Sequence, residues 1–333
     1  MLYAGTTSIF SFKYSILNDT VKKLKQWSKS AGNIYINSET SETLRNETVV
    51  NTENVKLISV HVPKHSKPLC DDQFGHYLAG LIDGGGEFNG KQQLVIVFHS
   101  LDASLAYYIK RRLGFGSVRK VKDGNAFLLI IAAKKGMEKV INLINKKIRT
   151  ESKLDQIKDN ILNNENYLEL REKIDFKMNF KKDLKNHWLA GFSDALSPVS
   201  LLQRSCSFQI KILNSSDKVE VRLNFKIVAS SNFVWSLPQK NNILLLIKDF
   251  LGGSISCDES KNEYTYSSDS SGSGINVINY FDRFHLLSSK HINYLKWRKA
   301  HLIVQSEGYP LSYEPKRISK LKSTMNRLND TTV

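Results

Sequence analysis

Residues 76–90 read HYLAGLIDGGGEFNG, and residues 187–201 read HWLAGFSDALSPVSL. The first half of each stretch is a compact apolar helix signal, and the two first halves match closely, whereas the second halves do not match. Small residues recur four positions apart in both, at Gly80 and Gly84 and at Gly191 and Ala195. Small residues at this spacing let two helices approach closely along one face. We therefore expect each helix to pack against its own copy.

The chain contains an internal tandem duplication, which is the feature to look for before any fold is assigned. Four segments recur in the same order: 78–80 as 189–191, 94–98 as 221–225, 108–118 as 246–256, and 140–153 as 277–290. The offset grows from 111 residues at the first pair to 138 at the third (110 to 248). This growth places extra residues in the second half, and we predict insertions at 196–206 and 228–238.

Each half reads as helix, strand pair, helix, strand pair, helix, which predicts an α/β (α+β) fold of two αββαββα repeats. The strand signal is clearest at 207–212 and 220–227, where apolar and polar residues alternate. This period of two is typical of antiparallel sheets with one buried and one polar face. In the first half, Asp123-Gly124 is a hairpin signal between two strand-like runs.

Composition narrows the class of partner. Lys and Arg number 48 against 32 Asp and Glu, a formal net charge of +16, which favours a polyanion such as nucleic acid. The three cysteines form no CxxC pair, so neither a disulfide framework nor a zinc knuckle is indicated. His61 and His65 are four apart, but Pro63 between them argues against a helical ligand pair, and we interpret both as loop residues. No apolar run is long enough for a membrane span.

The motifs LAGLIDGGG and LAGFSDALS resemble the two signature motifs of single-chain LAGLIDADG homing endonucleases, of the type encoded in fungal mitochondrial group I introns. The resemblance covers about residues 56–328, with KNHWLAGFSDA, FLGG, LLSSKHINYLKWRKA and STMNRLN as supporting segments. It implies a pseudo-dimer whose motif helices pack at the centre and whose two antiparallel sheets form a saddle over double-stranded DNA. In the family, an acid at motif position eight of each half binds a divalent metal, normally Mg²⁺.

The chain departs from this pattern at position eight, which is Gly85 in the first motif and Leu196 in the second. A hard cation needs oxygen ligands, and neither residue supplies one, so no intact metal site is predicted. Asp83 and Asp194 occupy position six, which in the family belongs to the helix end. With Gly80, Gly84, Gly191 and Ala195 they make up the expected motif-helix interface.

Two further residues are candidates for the chemistry. Glu87 lies two positions beyond Gly85 and would point to the same side if the chain is extended there; otherwise it is a polar strand residue facing DNA or solvent. Lys135 is a candidate for the basic residue that the family places near the scissile phosphate, since it precedes a helix expected near Lys139; the alternative is a solvated lysine.

Two sets of polar residues, one in each half of the chain, are expected to contact nucleic acid. A two-stranded ribbon fits the major groove, where Arg, Asn and Gln read base edges. The residues predicted to do so in the second half are Ser207, Gln209, Lys211, Arg222, Asn224 and Lys226. In the first half, Arg119, Lys120 and Lys122 flank the hairpin turn and are expected to touch phosphate.

The predicted organisation is a disordered or exon-derived leader at 1–55, repeats at 56–165 and 166–308, and a basic C-terminal helix or tail at 309–333. Three functions stay open: a homing endonuclease that binds DNA but has lost cleavage, a group I intron RNA maturase, and a decaying reading frame. The resemblance implies a monomer that acts in the mitochondrion.

Overall fold

The computed structural model describes residues 57–122, 124–196, 205–214, 219–230, 242–307 and 316–325. The leader predicted at 1–55 lies outside these residues, as do 197–204 and 231–241, which hold most of the two predicted insertions.

The first repeat contains three principal helices and four strands. They are α1 (Asp71–Gly85), β1 (Gly86–Asn89), β2 (Gln93–His99), α2 (Ala103–Leu113), β3 (Ser117–Lys120), β4 (Ala126–Ile131) and α3 (Lys134–Ile144). In β2 buried and half-buried residues alternate, which is the burial pattern that a sheet covered on one face produces. Helix α2 ends at Gly114, whose φ of 80° is the left-handed conformation that glycine adopts readily at helix ends.

The second repeat follows two connecting helices, α4 (Glu151–Ile157) and α5 (Leu168–Lys173). Its elements are α6 (Trp188–Ala195), β5 (Ser205–Asn214), β6 (Val219–Ser230), α7 (Ile243–Leu251), β7 (Ser254–Asp258), β8 (Glu263–Ser267) and α8 (Ser271–Arg283). Helix α7 also ends at a glycine of positive φ, Gly252 at 77°. The two repeats therefore end the corresponding helix with the same residue type in a similar, positive-φ conformation.

Each repeat forms a four-stranded antiparallel sheet, with strand orders β1-β2-β4-β3 and β5-β6-β8-β7. The two orders are equivalent, and α1 and α6 pack against each other between the repeats. The predicted αββαββα duplication with central motif helices is therefore confirmed. Large aromatic side chains, among them Phe74, Trp188, Phe192 and Trp297, are fully buried in the core.

Three boundaries differ from the sequence-based expectation. Helix α3 begins at Lys134 and not near Lys139, so Lys135 lies in its first turn. Residues 228–230, predicted as the start of an insertion, continue strand β6, where they pair with β8. Ser205 and Cys206 likewise begin strand β5. Backbone pairing with a neighbouring strand sets the two strand limits, and local composition does not reveal this pairing.

Two helices complete the chain, α9 (Lys290–Glu307) and α10 (Lys316–Thr324). The helix expected in the basic C-terminal tail is α10, and its Ile318 is buried against the rest of the domain. In the described part of the chain, no helix combines the length and the apolar character that crossing a membrane requires.

Candidate functional site: the motif-helix junction and the sheet faces

The two motif helices α1 and α6 touch backbone to backbone at a pair of glycines. A Cβ atom added to Gly80 would lie 1.9 Å from the carbonyl oxygen of Trp188, and one added to Gly191 would lie 2.0 Å from that of Tyr77. Each contact is to the residue three positions before the opposite glycine. The junction therefore has approximate twofold symmetry, and no side chain fits at either glycine.

Gly84 and Ala195, the second pair of small residues, continue the same line of contact between the two helices. A Cβ atom on Gly84 would lie 2.7 Å from the Cβ of Ala195 and 2.9 Å from the carbonyl oxygen of Phe192. The sequence-predicted interface residues Gly80, Gly84, Gly191 and Ala195 are thus brought together along one line.

Asp83 is fully buried at the end of α1 and accepts four hydrogen bonds. Its Oδ1 accepts from the backbone N and the hydroxyl of Thr150 at 3.2 and 2.5 Å. Its Oδ2 accepts from the backbone N of Arg149 and from the indole Nε1 of Trp188, both at 2.8 Å. The carboxylate therefore ties the loop after α3 to both motif helices.

Asp194 has the equivalent place at the end of α6. It accepts from the backbone N of Leu287 at 2.7 Å, from the Ser288 hydroxyl at 2.5 Å and from the Tyr77 hydroxyl at 2.7 Å. Tyr77 and Trp188 are themselves related by the 111-residue offset. Each position-six acid thus accepts a hydrogen bond from an aromatic side chain of the other motif helix.

Burial raises the pKa of Asp83 to about 6, although its four donors act in the opposite direction. Burial also raises the pKa of Asp194, while Lys290 and the hydrogen-bond donors oppose the shift. Both carboxylates are engaged in the protein interior, so they hold the junction together and do not face a groove.

Position eight differs sharply between the two motifs. Gly85 is the last residue of α1, and an added Cβ would lie 3.3 Å from the carbonyl oxygen of Ala195. Leu196 follows α6 in extended conformation, and its side chain is 0% exposed. One half therefore has no side chain at this position, and the other has packed an aliphatic one into the core.

Glu87, the candidate substitute acid, and Lys135, the candidate basic residue, are both exposed. Glu87 lies in β1 opposite Val95, on the sheet face that the helices leave uncovered. Lys135 follows Lys134 in the first turn of α3, whose N-cap residue Ala133 makes no side-chain cap. Two lysines at an uncapped helix N-terminus concentrate positive charge with unpaired N–H groups, which favours an anion.

The corresponding helix of the second repeat has no such feature. Ser270 and Ser273 close the N-terminus of α8 with a capping box, and its first turn contains no acidic residue and no basic side chain. The two helix ends are therefore chemically unequal.

The second sheet presents a polar outer face. The six residues predicted from alternation form three directly opposed cross-strand pairs: Ser207 with Lys226, Gln209 with Asn224, and Lys211 with Arg222. Lys226 also lies opposite Ser267 of β8, which lies opposite Ser254 of β7, so one polar row crosses all four strands. Arg222 donates to Glu220 on the same strand at 2.6 Å.

The first sheet presents a different outer face. Val95 lies opposite Ile130 and Val97 lies opposite Leu128, and all four aliphatic side chains are half-buried on the face away from the helices. We call these four residues the aliphatic block. Alternation did not predict it, because residues 94–98 and 126–131 are all apolar, and such runs look like strands buried on both faces.

Arg119, Lys120 and Lys122 are exposed beside the block, at the β3 edge and the hairpin turn. Arg119 lies opposite Leu128, so a cation borders the block on this side. The residue types that would contact phosphate therefore border the apolar block on its β3 side.

A basic groove of about 990 Å³ lies at the other end of the motif helices. Its cations include Lys146, Lys147, Lys177, Lys181, Lys185 and Arg283. Phe180 lines it with 69% of its surface exposed. The groove also touches Asp72 in the first turn of α1, about 20 Å along the helix from Gly85. Sequence reasoning missed this groove, because four separate segments contribute to it.

A family model described as "LAGLIDADG endonuclease" matches residues 189–301. An uncharacterized cox1 intron-2 37.2 kDa protein of Schizosaccharomyces pombe is 54% identical over 320 residues, covering 93% of this chain and 92% of that protein. The chain belongs to the LAGLIDADG endonuclease family. The family assignment made from the two motifs is therefore confirmed.

More distant LAGLIDADG relatives carry two kinds of name. The intron-encoded DNA endonuclease aI3 of Saccharomyces cerevisiae is 27% identical over 71% of this chain. The intron-encoded RNA maturase bI4 of the same species is also 27% identical, over 68% of this chain. The alignments cover only 65% and 33% of those two proteins, respectively. The family thus includes endonucleases and maturases.

Solved LAGLIDADG structures share the fold at low sequence identity. Meganuclease I-SmaMI bound to uncleaveable DNA superposes with a TM-score of 0.58 at 20% identity, covering 80% of this chain and 99% of that one. Meganuclease I-AabMI bound to uncleaved DNA gives 0.56 at 18% identity, covering 76% and 99%.

The position-eight residues do not fit the divalent metal that LAGLIDADG endonucleases usually use. Mg²⁺ requires oxygen ligands in near-octahedral geometry. Gly85 offers no side-chain oxygen, and Leu196 offers a buried hydrocarbon. We therefore derive no cleavage step through a metal at this position.

Proposed function

We propose that this LAGLIDADG protein binds a long double-stranded DNA site without cutting it. The observation that supports this proposal is the pair of position-eight residues, one lacking a side chain and the other buried in the core. The rest of the scaffold retains what binding needs: two sheets, a closely packed helix junction and a net charge of +16. In this proposal the protein descends from homing endonucleases and has lost the chemistry of cleavage.

The second sheet is proposed to read base edges by hydrogen bonding. Asn224 and Gln209 lie side by side and match the donor and acceptor pattern of adenine, and Arg222 matches guanine. Arg222 is paired with Glu220 in the free protein, so binding guanine would require it to leave that partner. An exposed ion pair of this kind costs little to break.

The first sheet is proposed to read DNA differently. The aliphatic block cannot form hydrogen bonds with bases, but its methyl groups can pack against the C5-methyl group of thymine in the major groove. Arg119, Lys120 and Lys122 would hold the phosphates along the β3 edge of the block. The two half-sites are therefore proposed to be recognised by unlike chemistry, a consequence of divergence after duplication.

Lys135 and Glu87 have smaller roles in this proposal. Lys135, with Lys134 and the free N–H groups of α3, would hold a backbone phosphate. Glu87 is an exposed acid just beyond the C-terminal end of the first motif helix. On its own it supplies one ligand, whereas a two-metal cleavage needs ligands on both sides of the reacting phosphate.

A second function is favoured by a separate observation, the basic groove. Lysines and an exposed aromatic ring together suit single-stranded nucleic acid, whose bases stack on the ring while cations follow the backbone. The groove lies far from the sheet faces along the motif helices. An intron RNA bound there would make the protein a maturase, a role for which the position-eight acids are not needed.

The experiment is a binding titration of the purified full chain with Mg²⁺ at two salt concentrations. Its ligands are a duplex spanning the joined exons of the host gene, the unspliced intron RNA, and a scrambled duplex. Specific duplex binding with no cleavage product supports the first function, and tighter binding of the intron RNA supports the second. Double-strand cleavage of the duplex would overturn the first proposal, and equal affinity for all three ligands would overturn both.

A pair of variants separates the two surfaces. Asn224→Ala with Lys226→Ala should weaken duplex binding and leave RNA binding unchanged. Phe180→Ala with Lys181→Ala should do the reverse. Removing a phosphate contact should also reduce the salt dependence of binding by about one unit of slope.

The setting of this function is also a proposal. The S. pombe relative is named for an intron of cox1, and we infer that this chain is likewise encoded within a mitochondrial intron and acts in that compartment. It would act as a monomer, because each motif helix already has its partner helix within the same chain.

A further inference from the structure

Three histidines from distant parts of the sequence meet on the second repeat. His65 belongs to the segment that precedes α1, His285 lies in the loop after α8, and His291 lies in the first turn of α9. Each ring offers one nitrogen, and these three nitrogens lie within 4.8 Å of one another. The ring centroids of His65 and His291 are 4.3 Å apart, and those of His65 and His285 are 5.2 Å apart.

Two of the three rings contain a buried nitrogen that no hydrogen bond satisfies. Among the residues that the structure describes, neither Nδ1 of His285 nor Nδ1 of His291 has a partner. His285 is only 4% exposed, and leaving such a polar atom unpaired is costly. Both nitrogens therefore require a ligand or a bound water.

The third ring is oriented by the backbone. Nε2 of His65 lies 2.8 Å from the carbonyl oxygen of Leu286, which can only accept a hydrogen bond. In the neutral ring Nε2 then carries the proton, and Nδ1 holds the lone pair. A carbonyl that fixes the tautomer of a histidine is the usual outer-shell arrangement of a metal site.

Two of the three rings, those of His285 and His291, have lowered pKa values. Burial, together with His65 and His285, lowers the pKa of His291 to about 4. Burial and the nearby His65 lower the pKa of His285 too, while Asp282 opposes this shift. Asp282 itself accepts three hydrogen bonds from the guanidinium of Arg298 and one from Tyr294, so its charge is already balanced.

We propose that His65, His285 and His291 bind a divalent transition metal of the zinc class. Neutral imidazole suits Zn²⁺ and its neighbours, and three such ligands with one water complete a tetrahedral site. Ligand nitrogens around Zn²⁺ are about 3.3 Å apart, so the rings must close by up to about 1.5 Å. His65 is exposed on an irregular segment and has room to make this movement.

The metal would link segments that are already joined by hydrogen bonds near the motif-helix junction. The loop that carries His285 also donates to Asp194 through Leu287 and Ser288. Arg298 of α9 donates to the carbonyl oxygens of Ser59 and His61 in the segment that carries His65. Metal binding would therefore stabilise the segment leading into α1 against the second repeat, independently of any DNA cleavage.

The test uses the tag-free full chain, Zn²⁺ as the ligand and Co²⁺ as a spectroscopic probe. We expect one Zn²⁺ per chain by calorimetry, visible absorption bands of tetrahedral Co²⁺, and a Tm raised by roughly 5 °C at a large excess over Kd. A millimolar concentration of Mg²⁺ should not displace the metal, because Mg²⁺ prefers oxygen ligands.

Variants at the exposed His65 and the half-buried His291 keep the test falsifiable. His65→Ala should lower the affinity at least tenfold and abolish the Co²⁺ bands, and His291→Gln should do the same. The matched control is His61→Ala, an exposed histidine four residues away that is not in the cluster. Wild-type binding by His65→Ala, or equal loss in the control, would overturn the proposal, as would the absence of stoichiometric Zn²⁺ binding by the wild type.

Discussion

The indole Nε1 of Trp188 donates to Oδ2 of Asp83 at 2.8 Å, which joins the second motif helix to the end of the first. The reciprocal bond runs from Tyr77 to Asp194 at 2.7 Å. The four residues are related in pairs by the 111-residue offset of the duplication. Asp83 and Asp194 therefore have a structural role at the helix junction. Their presence in the two motifs does not indicate cleavage activity.

Replacing Asp83 with Asn should destabilise the protein by about 2–4 kcal/mol. One carboxylate oxygen accepts two hydrogen bonds from N–H groups, of Arg149 and Trp188, and the other accepts two from Thr150. An amide puts an NH₂ group against one of these donor pairs, which leaves buried polar groups unsatisfied. Urea denaturation measures the loss, with Asp72→Asn, an exposed acid of the same helix, as the control. Equal stability of both variants would contradict this account of Asp83.

Alanine at Gly80 or at Gly191 should destabilise the junction by about 3 kcal/mol or more. The added methyl group would lie within about 2 Å of a backbone carbonyl on the opposite helix, so the helices must separate. Gly90 is the control, because an added Cβ there meets nothing within 4 Å. Thermal unfolding of the three variants checks the prediction, and an unchanged Tm for Gly80→Ala would refute it.

Restoring acids at position eight should not restore cleavage. Gly85→Asp needs a shift of only a few tenths of an ångström near Ala195, so this variant should fold. Leu196→Asp puts a carboxylate where the side chain is fully buried, which should cost several kcal/mol. We expect the double variant to produce no linear product from a plasmid carrying the target site. Efficient linearisation would show that the second motif can still form a metal site.

The protein should lose stability as the pH falls from about 6.5 to 4. Burial lowers the pKa of four histidines to about 4, namely His76, His187, His291 and His301. The unfolded chain then binds more protons than the folded one, so their stabilisation is complete above pH 6.5 and decreases below it. The raised pKa values of Asp83 and Asp194 oppose this trend but involve fewer groups.

His301→Phe isolates one of these contributions. Nε2 of His301 is buried without a hydrogen-bond partner in the part of the chain that the structure describes, so an apolar ring should be accepted at neutral pH. The dependence of unfolding free energy on pH should become shallower by at most about 1.4 kcal/mol per pH unit, the value for one proton. His61→Phe, at an exposed position, should leave the slope unchanged. The same slope in both variants would rule out His301 as a source of acid sensitivity.

Replacing thymine by uracil should weaken binding in one half-site only. Uracil lacks the C5-methyl group that the aliphatic block is proposed to contact, whereas the hydrogen-bonding edges are unchanged. We expect a lower affinity, by about threefold or more for the substituted half-site, when the uracils face the first sheet, and little change when they face the second. Val97→Ala should reduce the difference between thymine and uracil. Equal sensitivity of both half-sites would argue against unlike readout.

The sequence predicted the duplication, the order of elements, the helix seam and the polar row on β5 and β6. These features follow from local periodicity and from the matching of segments within the chain. Alternation in β6 is visible because one face meets water and the other meets the core. The aliphatic block escaped prediction because half-buried and fully buried strands have the same apolar composition.

The sequence by itself determined that position eight lacks an acid in both motifs, since this depends only on which residues stand at 85 and 196. Only the tertiary structure decided that Leu196 is sealed in the core, that Trp188 and Tyr77 bind the opposite acids, and that His65 meets His285 and His291. These relationships join residues more than 100 positions apart. Local patterns encode how each segment folds, whereas contacts between distant segments arise only when the segments pack together.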